Sequence, residues 1–480
     1  MSAFPPDLFA GKRFAVVGLG RNGLAVARAL LAMGADVTPW DDSSPARAGA
    51  GSLPLRDPCD GAFAFDALVL SPGIPHLLPK PHPAAERARA AGVPILSDAE
   101  LLFQAVRCAG SHARFVGITG TNGKSTTTAL LAHILACANV PVAAGGNLGT
   151  ASLALPLLPD DGIYVLEMSS YMLERLATLR FDAAAMLNLS PDHLDRHGDM
   201  AGYTAAKRAI FDRQQPGDFA VVGVDDPGSR AMAEWLRTRA ARVVTVSGLP
   251  RDSYPTRHPR AFRHPRESGD PSNLGPRFRG YDERHGDDAW RGILANAPAL
   301  PGAHNAQNAA AAYAMARFLG VPHDTIAHAM STFPGLPHRQ QRLRTIDGIT
   351  FVNDSKATNA DAAACALSCY DRVVWIAGGL AKQGGIEPLA PFFPRIAHAL
   401  LIGRDAPMLA ATLQAHNVPH EIASTLETAT SRAFTAARTH ATPVVLLSPA
   451  CASFDQFTGF DARGQKFADL VASLAQERAA

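Results

Sequence analysis

The run Thr119-Gly120-Thr121-Asn122-Gly123-Lys124-Ser125-Thr126 gathers what a bound triphosphate requires. Closely spaced glycines let backbone amides face phosphate oxygens, a lysine can reach the β and γ phosphates, and a Ser or Thr hydroxyl can ligate Mg2+. The run sits between a short apolar stretch from Phe115 and a helical pattern rich in Thr, Ala and Leu. Its spacing departs from the standard phosphate loop, which needs a glycine five residues before Gly123, where Ile118 stands. ATP chemistry is the reading that these residues favour over a purely structural turn.

Two polar groupings follow. Glu167, in YVLEMSS, closes an apolar run, the position at which α/β sheets place ligand-binding groups. A carboxylate there can hold a Mg2+ that bridges ATP oxygens, since Mg2+ prefers oxygen donors and retains waters. In NLSPDHLDRHG, Asn188, Asp192, His193 and Asp195 follow another apolar run. His193 could ligate a metal or bind a carboxylate, with Asp192 orienting it; the alternative is a polar turn with a capping Asp. Lys207, in the helical stretch GYTAAKRAIFD, reads from spacing alone as a solvated surface charge.

A second glycine-rich turn lies nearer the start of the chain: Gly18, Leu19, Gly20, Arg21, Asn22 and Gly23, with Asp41 and Asp42 downstream. Such a turn brings backbone amides to a diphosphate at the positive end of a helix, and an acidic residue beyond the next strand can grip a ribose hydroxyl. NAD and a UDP-sugar both satisfy that geometry, so an NAD-dependent oxidoreductase is a competing reading.

These motifs need strands and helices to hold them. Short β-rich runs begin at Phe14, Phe115, Tyr164, Ala184, Phe219 and Val243, and again at Val373, His398 and Val444, alternating with helical patterns. Alternation of this kind predicts α/β architecture with parallel sheets and crossover helices. The 480 residues exceed one ordinary core, and three domains are expected, over 1–100, 101–335 and 336–480. The boundaries rest on a possible linker near Ser97–Glu100 and on the Pro-rich Phe333–His338.

Apolar residues make up 47% and charged residues 18%, with a net charge of +2, which gives no footprint for a nucleic-acid or membrane partner. No run is apolar and long enough for a membrane span, and the first residues carry no signal-peptide pattern, so a cytoplasmic monomer is expected. Six scattered cysteines without CxxC pairs argue against disulfide or zinc frameworks. Residues 251–288, rich in Arg, His, Pro and Gly, lack apolar periodicity and read as a disordered surface insertion.

The later motifs narrow the reading. LPGAHNAQNAAAA carries His304, Asn305 and Asn308; FPGLPHR carries His338 and Arg339; NDSKATN spans Asn353 to Asn359; and LLSPACASFDQF spans Leu446 to Phe457. Together with GTNGKST, EMSSY and PDHLD, in this order, they resemble the Mur ligase family over essentially the whole chain apart from the insertion, and within it the members that add glutamate. The resemblance implies a Rossmann-like UDP-binding domain, a central P-loop-type ATPase domain and a C-terminal Rossmann-like domain that closes over the amino-acid substrate. It implies ATP-dependent addition of glutamate to UDP-N-acetylmuramoyl-L-alanine through an acyl phosphate.

Residue by residue, the resemblance implies that Gly20, Arg21, Asn22, Asp41, Ser71, Pro72, Gly73, Asn147 and His193 bind the UDP substrate. It gives the nucleotide to Gly120, Thr121, Asn122, Gly123, Lys124, Ser125, Thr126, Asn305, Asn308, Arg339 and Asp354. Ser125, Glu167, His193 and Lys207, the last as a carbamate, would serve Mg2+, and Lys124, His193 and Lys207 would be catalytic. Lys356, Thr358, Lys382, Ser453 and Phe460 match positions that bind glutamate. Met172 stands where the family commonly has glutamine. The hand of the glutamate is left open, and a sister ligase for L-glutamate or another amino acid, or a folylpolyglutamate synthetase, is the nearest alternative.

Overall fold

The computed structural model describes residues 2–147, 149–239, 242–249, 289–382 and 384–479; the expected insertion at 251–288 lies outside them. Three sheets organise the described residues, which divide into two compact units, one formed by 1–296 and 306–331 and the other by 297–305 and 332–480.

The first unit holds two sheets. Strands β1 (Arg13–Val17), β2 (Asp36–Trp40), β3 (Ala67–Leu70) and β4 (Ile95–Leu96) pair in the order β2-β1-β3-β4. Strands β5 (Arg114–Thr119), β6 (Val142–Gly146), β7 (Ile163–Glu167), β8 (Ala183–Met186), β9 (Phe219–Gly223) and β10 (Arg242–Val246) pair in the order β10-β9-β8-β5-β7-β6. Every pairing in both sheets is parallel. The middles of the central strands are apolar, as expected where helices cover both faces of a parallel sheet, with polar residues such as Arg114, Thr119 and Glu167 at their ends. Phe115, Val165, Leu166, Ala184 and Val221 are buried, and one apolar cluster runs from Val16 and Leu30 through Leu102 to Met186 and Leu236.

The second unit carries β11 (Gln341–Ile346), β12 (Ile349–Asn353), β13 (Val373–Gly378), β14 (Ile396–Ile402), β15 (His420–Ser424) and β16 (Val444–Leu447), in the order β11-β12-β16-β13-β14-β15. Only the β11–β12 pairing is antiparallel. Helices pack on either side, with Trp375 and Leu446 in one core and Phe351, Phe434 and Phe467 in the other.

One rule places the motifs in all three sheets: ligand-binding loops of open α/β sheets leave the carboxyl ends of strands near the point where strand order reverses. In the first sheet those ends are β1, β2 and β3, carrying the Gly18 turn, Asp41 and Ser71. In the second they are β5, β7 and β8, carrying Gly120–Lys124, Glu167 and Asn188. In the third, β12, β16 and β13 lead into NDSKATN, SPACASF and GGLAK.

Candidate active site

The loop after β5 turns on two glycines with positive φ, Gly120 at 148° and Gly123 at 86°. Gly123 caps the helix Lys124–Cys137 in a left-handed conformation that L residues adopt only with strain. A Cβ there would also meet Asn308 Oδ1 at 2.2 Å. Helix Ala303–Phe318 thus closes on the loop from one side. From the other, Asn122 N donates to Asn188 Oδ1 at 2.8 Å, Asn188 Nδ2 returns a bond to Asn122 O at 3.1 Å, and Thr121 N donates to Asn188 O at 3.0 Å. Thr121 Oγ1 donates to Ser190 O at 3.1 Å and lies 3.2 Å from the Tyr203 hydroxyl. The loop is therefore preorganised, with its amides directed by fixed neighbours.

Lys124 Nζ folds back on this loop and donates to Gly120 O and Thr121 O, each at 2.8 Å. Lys207, read from spacing as a surface charge, is only 1% exposed. Its Nζ donates to Gly120 O at 2.9 Å and Thr119 Oγ1 at 3.3 Å. Burial, reinforced by the Lys124 ammonium, holds the Lys207 amine well below the usual lysine range. A shift in this direction favours the neutral, nucleophilic form of the amine.

Glu167 ends β7 and is 2% exposed. Its Oε1 accepts from Asn147 Nδ2 at 2.9 Å, while Oε2 is buried without a hydrogen-bond partner. A buried carboxylate oxygen left unsatisfied costs on the order of 1–3 kcal/mol. A hard cation on that oxygen would remove the penalty, and Mg2+ suits an all-oxygen donor set. His193 takes a left-handed conformation, with φ at 52°, as the residue that opens the short helix Leu194–His197. Its Nε2 lies 3.4 Å from Asp192 Oδ2, and its ring lies against Tyr171 at 5.1 Å.

At the first sheet, Gly18 and Gly23 cross so closely that a Cβ on Gly23 would lie 1.7 Å from Gly18 O. Asp41 does not project freely: it accepts from Leu19 N at 2.6 Å and Ser43 N at 2.8 Å, which ties the end of β2 to the glycine turn. Ser71 Oγ donates to Gly18 O at 2.7 Å and joins the Ser71–Pro72–Gly73 loop to the same turn. Arg21 and Gly73 are exposed, and Asn22 and Pro72 half-buried, around this turn.

Ser125 and Thr126 lie in the first turn of the helix Lys124–Cys137, and the second unit holds Asn305, Arg339, Asp354 and the residues expected at glutamate. Asn305 Nδ2 donates to Pro301 O at 2.8 Å, and Arg339 is half-buried in the turn before β11. Asp354 is buried, accepting from Gln340 N at 3.1 Å and from Ser448 Oγ at 2.8 Å. Burial pushes its carboxyl up to about 7. Lys356 Nζ sits 3.7 Å from the centre of the Phe460 ring, so two of the residues expected at glutamate touch each other. Thr358 is half-buried, Ser453 buried and Lys382 exposed.

Two residues escaped the sequence reading. Tyr203 is buried against Thr121, and burial pushes its hydroxyl up to about 12. Arg463 donates to Ser355 O at 2.9 Å, Ser355 Oγ at 3.0 Å and Cys451 O at 3.1 Å, binding NDSKATN to SPACASF. Its spacing of one helical turn from Phe467 was the available signal, because both face the core.

Comparison with known proteins adds to this geometry. Residues 118–316 match the family model of the Mur ligase middle domain, and residues 338–451 match that of the Mur ligase glutamate ligase domain. The UDP-N-acetylmuramoylalanine--D-glutamate ligase of Paramagnetospirillum magneticum is 50% identical, covering 98% of this chain and 99% of its own length. That of Rhodospirillum rubrum is 48% identical, covering 98% and 97%. Among solved structures, UDP-N-acetylmuramate-alanine ligase from Thermotoga maritima superposes with a TM-score of 0.55 at 16% identity, over 96% of this chain and 99% of that one, a likeness of fold. With such identity sustained along nearly its full length, the chain belongs to the Mur ligase family, alongside its UDP-N-acetylmuramoylalanine--D-glutamate ligases.

Proposed function

We propose that this protein joins D-glutamate to UDP-N-acetylmuramoyl-L-alanine at the expense of ATP, a step in making peptidoglycan precursors. The observation that carries the reading is the cluster at the ends of β5, β7 and β8, where a preformed phosphate loop, two lysines and a half-satisfied buried carboxylate converge. The names of relatives up to 50% identical support D-glutamate over the L enantiomer, another amino acid or folate. A dehydrogenase would leave the phosphate loop and the buried lysine without a task.

A carboxylate resists attack by an amine, so the alanyl carboxylate first takes the γ-phosphoryl group of ATP, and the glutamate amine then displaces phosphate from the acyl phosphate. Gly120 to Thr126, with Asn308, hold the triphosphate, and Lys124 leaves its loop carbonyls to neutralise the transferred group. Asn305, Arg339 and Asp354 are further nucleotide-binding residues in this reading. Ser125, Glu167, His193 and Lys207, as its carbamate, are the groups that would hold Mg2+. When bound, the metal supplies charge neutralisation at the phosphate oxygens.

The glycine turn, Asp41, Ser71, Pro72, Gly73, Asn147 and His193 receive the UDP substrate. Lys356, Thr358, Lys382, Ser453 and Phe460 receive glutamate. The domains divide at 100/101 and 335/336, each around its own sheet. The need for ATP supports a cytoplasmic site of action. Phosphate release from ATP and Mg2+ is the test: it is expected only when both the UDP substrate and D-glutamate are present. No release with both present would overturn the function.

A further inference from the structure

Arg175 follows the short helix Ser170–Leu173, within nine residues of Glu167, and reads in sequence as an ordinary charge at a helix end. It is 3% exposed. Its guanidinium reaches across to the first sheet and gathers three backbone carbonyls of one loop: Nη1 donates to Leu70 O at 2.8 Å and to Ser71 O at 3.3 Å, and Nη2 donates to Ile74 O at 2.5 Å. Arg196, 6% exposed, adds a bond from Nη2 to the same Ile74 O at 3.0 Å. The Arg175 carbonyl in turn accepts from Ser97 N at 3.0 Å.

Ser71 O also accepts from Ile74 N of the same loop at 2.9 Å, and the guanidinium adds donors that come from outside the loop. A planar fork of donors meets several acceptors at once, which a single ammonium cannot do. The loop so held contains Ser71, whose Oγ fixes Gly18 O of the glycine turn. Arg175 thereby sets the shape of both loops at the ends of β1 and β3, from a segment that also carries Glu167.

We propose that Arg175, assisted by Arg196, is a positioning residue for the UDP substrate, holding the Ser71–Ile74 loop and through it the glycine turn in the conformation that receives the nucleotide. This inference rests on the reading of those loops as the UDP-substrate site. It assigns Arg175 no contact with the reacting atoms.

The test uses the full-length protein, with UDP-N-acetylmuramoyl-L-alanine binding measured by calorimetry and steady-state phosphate release measured alongside. A hydrogen bond from a charged donor is worth on the order of tenfold in an equilibrium constant. Arg175→Lys is therefore expected to raise Kd and KM for the UDP substrate about tenfold, with KM for ATP and glutamate within about twofold and kcat nearly kept. Arg196→Lys, which loses one bond to the loop, is expected to show a smaller rise of the same selectivity, and it decides the question where Arg175→Lys does not fold. Unchanged affinity for the UDP substrate, or a parallel rise in all three KM values, would overturn the proposal in favour of a general structural tie. Failure of the wild-type protein to bind the UDP substrate would overturn the underlying reading of the site, and the inference with it.

Discussion

Lys124 and Lys207 donate from their Nζ atoms to one carbonyl oxygen, that of Gly120, at 2.8 and 2.9 Å. Two ammonium groups on a single acceptor repel each other, and burial falls on Lys207, so both effects push its amine below the usual lysine range. In the carbamate proposed for Lys207, the amine in its neutral form adds CO2 and gives up a proton to solvent, leaving an anion beside Lys124 in place of a second cation.

Lys207→Ala is accordingly expected to lower kcat by at least about 100-fold, the scale seen when a charge-stabilising group is removed from a reacting phosphoryl or acyl centre. Added short carboxylic acids should restore part of the activity by occupying the space of the carbamate. Unimpaired phosphate release by the variant would remove Lys207 from the mechanism.

Glu167→Gln tests the orphaned Oε2. An amide keeps the shape and can still pair with Asn147, but it is a far poorer donor to Mg2+. The Mg2+ concentration giving half-maximal activity is expected to rise about tenfold or more, in line with the loss of a charged ligand. An unchanged Mg2+ titration would place the metal elsewhere.

At Gly123 an added methyl meets both a strained φ and Asn308. Gly123→Ala is expected to cost about 1–3 kcal/mol of stability. It should also raise KM for ATP, because the helix start and the loop amides shift together. Thermal unfolding and ATP titration together check both effects; wild-type values for both would show that the loop tolerates the change.

Asp354 supplies a pH signature. Its carboxyl is raised to about 7 in the folded protein, against about 3.9 in an unfolded chain. Between these values the folded state binds more protons, so the contribution of this group is fully present below about pH 4 and is lost as pH rises through about 7. Asp354→Asn mimics the protonated acid toward Gln340 and Ser448, and should flatten that part of the stability profile in urea titrations. A variant whose profile parallels the wild type would assign the slope to other groups.

Lys356 rests on the Phe460 ring, ready to face a carboxylate. Lys356→Ala is expected to raise KM for D-glutamate by about tenfold or more while KM for ATP stays within about twofold, since a desolvated charge–carboxylate bond is worth roughly 1.5–3 kcal/mol. Equal effects on both substrates would argue for disruption of the whole NDSKATN turn.

Much of the site was legible in the sequence because its parts are local. GTNGKST, the first glycine turn, EMSS, NDSKATN and SPACAS each follow an apolar run, and a parallel sheet delivers the ends of its adjacent strands to one edge. Residue type and chain direction were therefore sufficient to single out Gly123, Lys124 and Glu167 as candidates. Asp41 shows where local reading stops: its position after β2 suggested a ribose ligand, and the fold adds a task that the sequence did not show, accepting the amides of Leu19 and Ser43.

What the tertiary structure alone decided is the meaning of long basic side chains. Lys207 meets Gly120 from 87 residues away, Arg175 meets Leu70 from 105, and Arg463 meets Ser355 from 108. From residue spacing alone each is one more cation on a helix or at its end, and only Lys207 was singled out, by the family resemblance. Burial sets whether such a charge is retained, and the carbonyls that converge on it set what it holds; both depend on which distant strands the fold brings together.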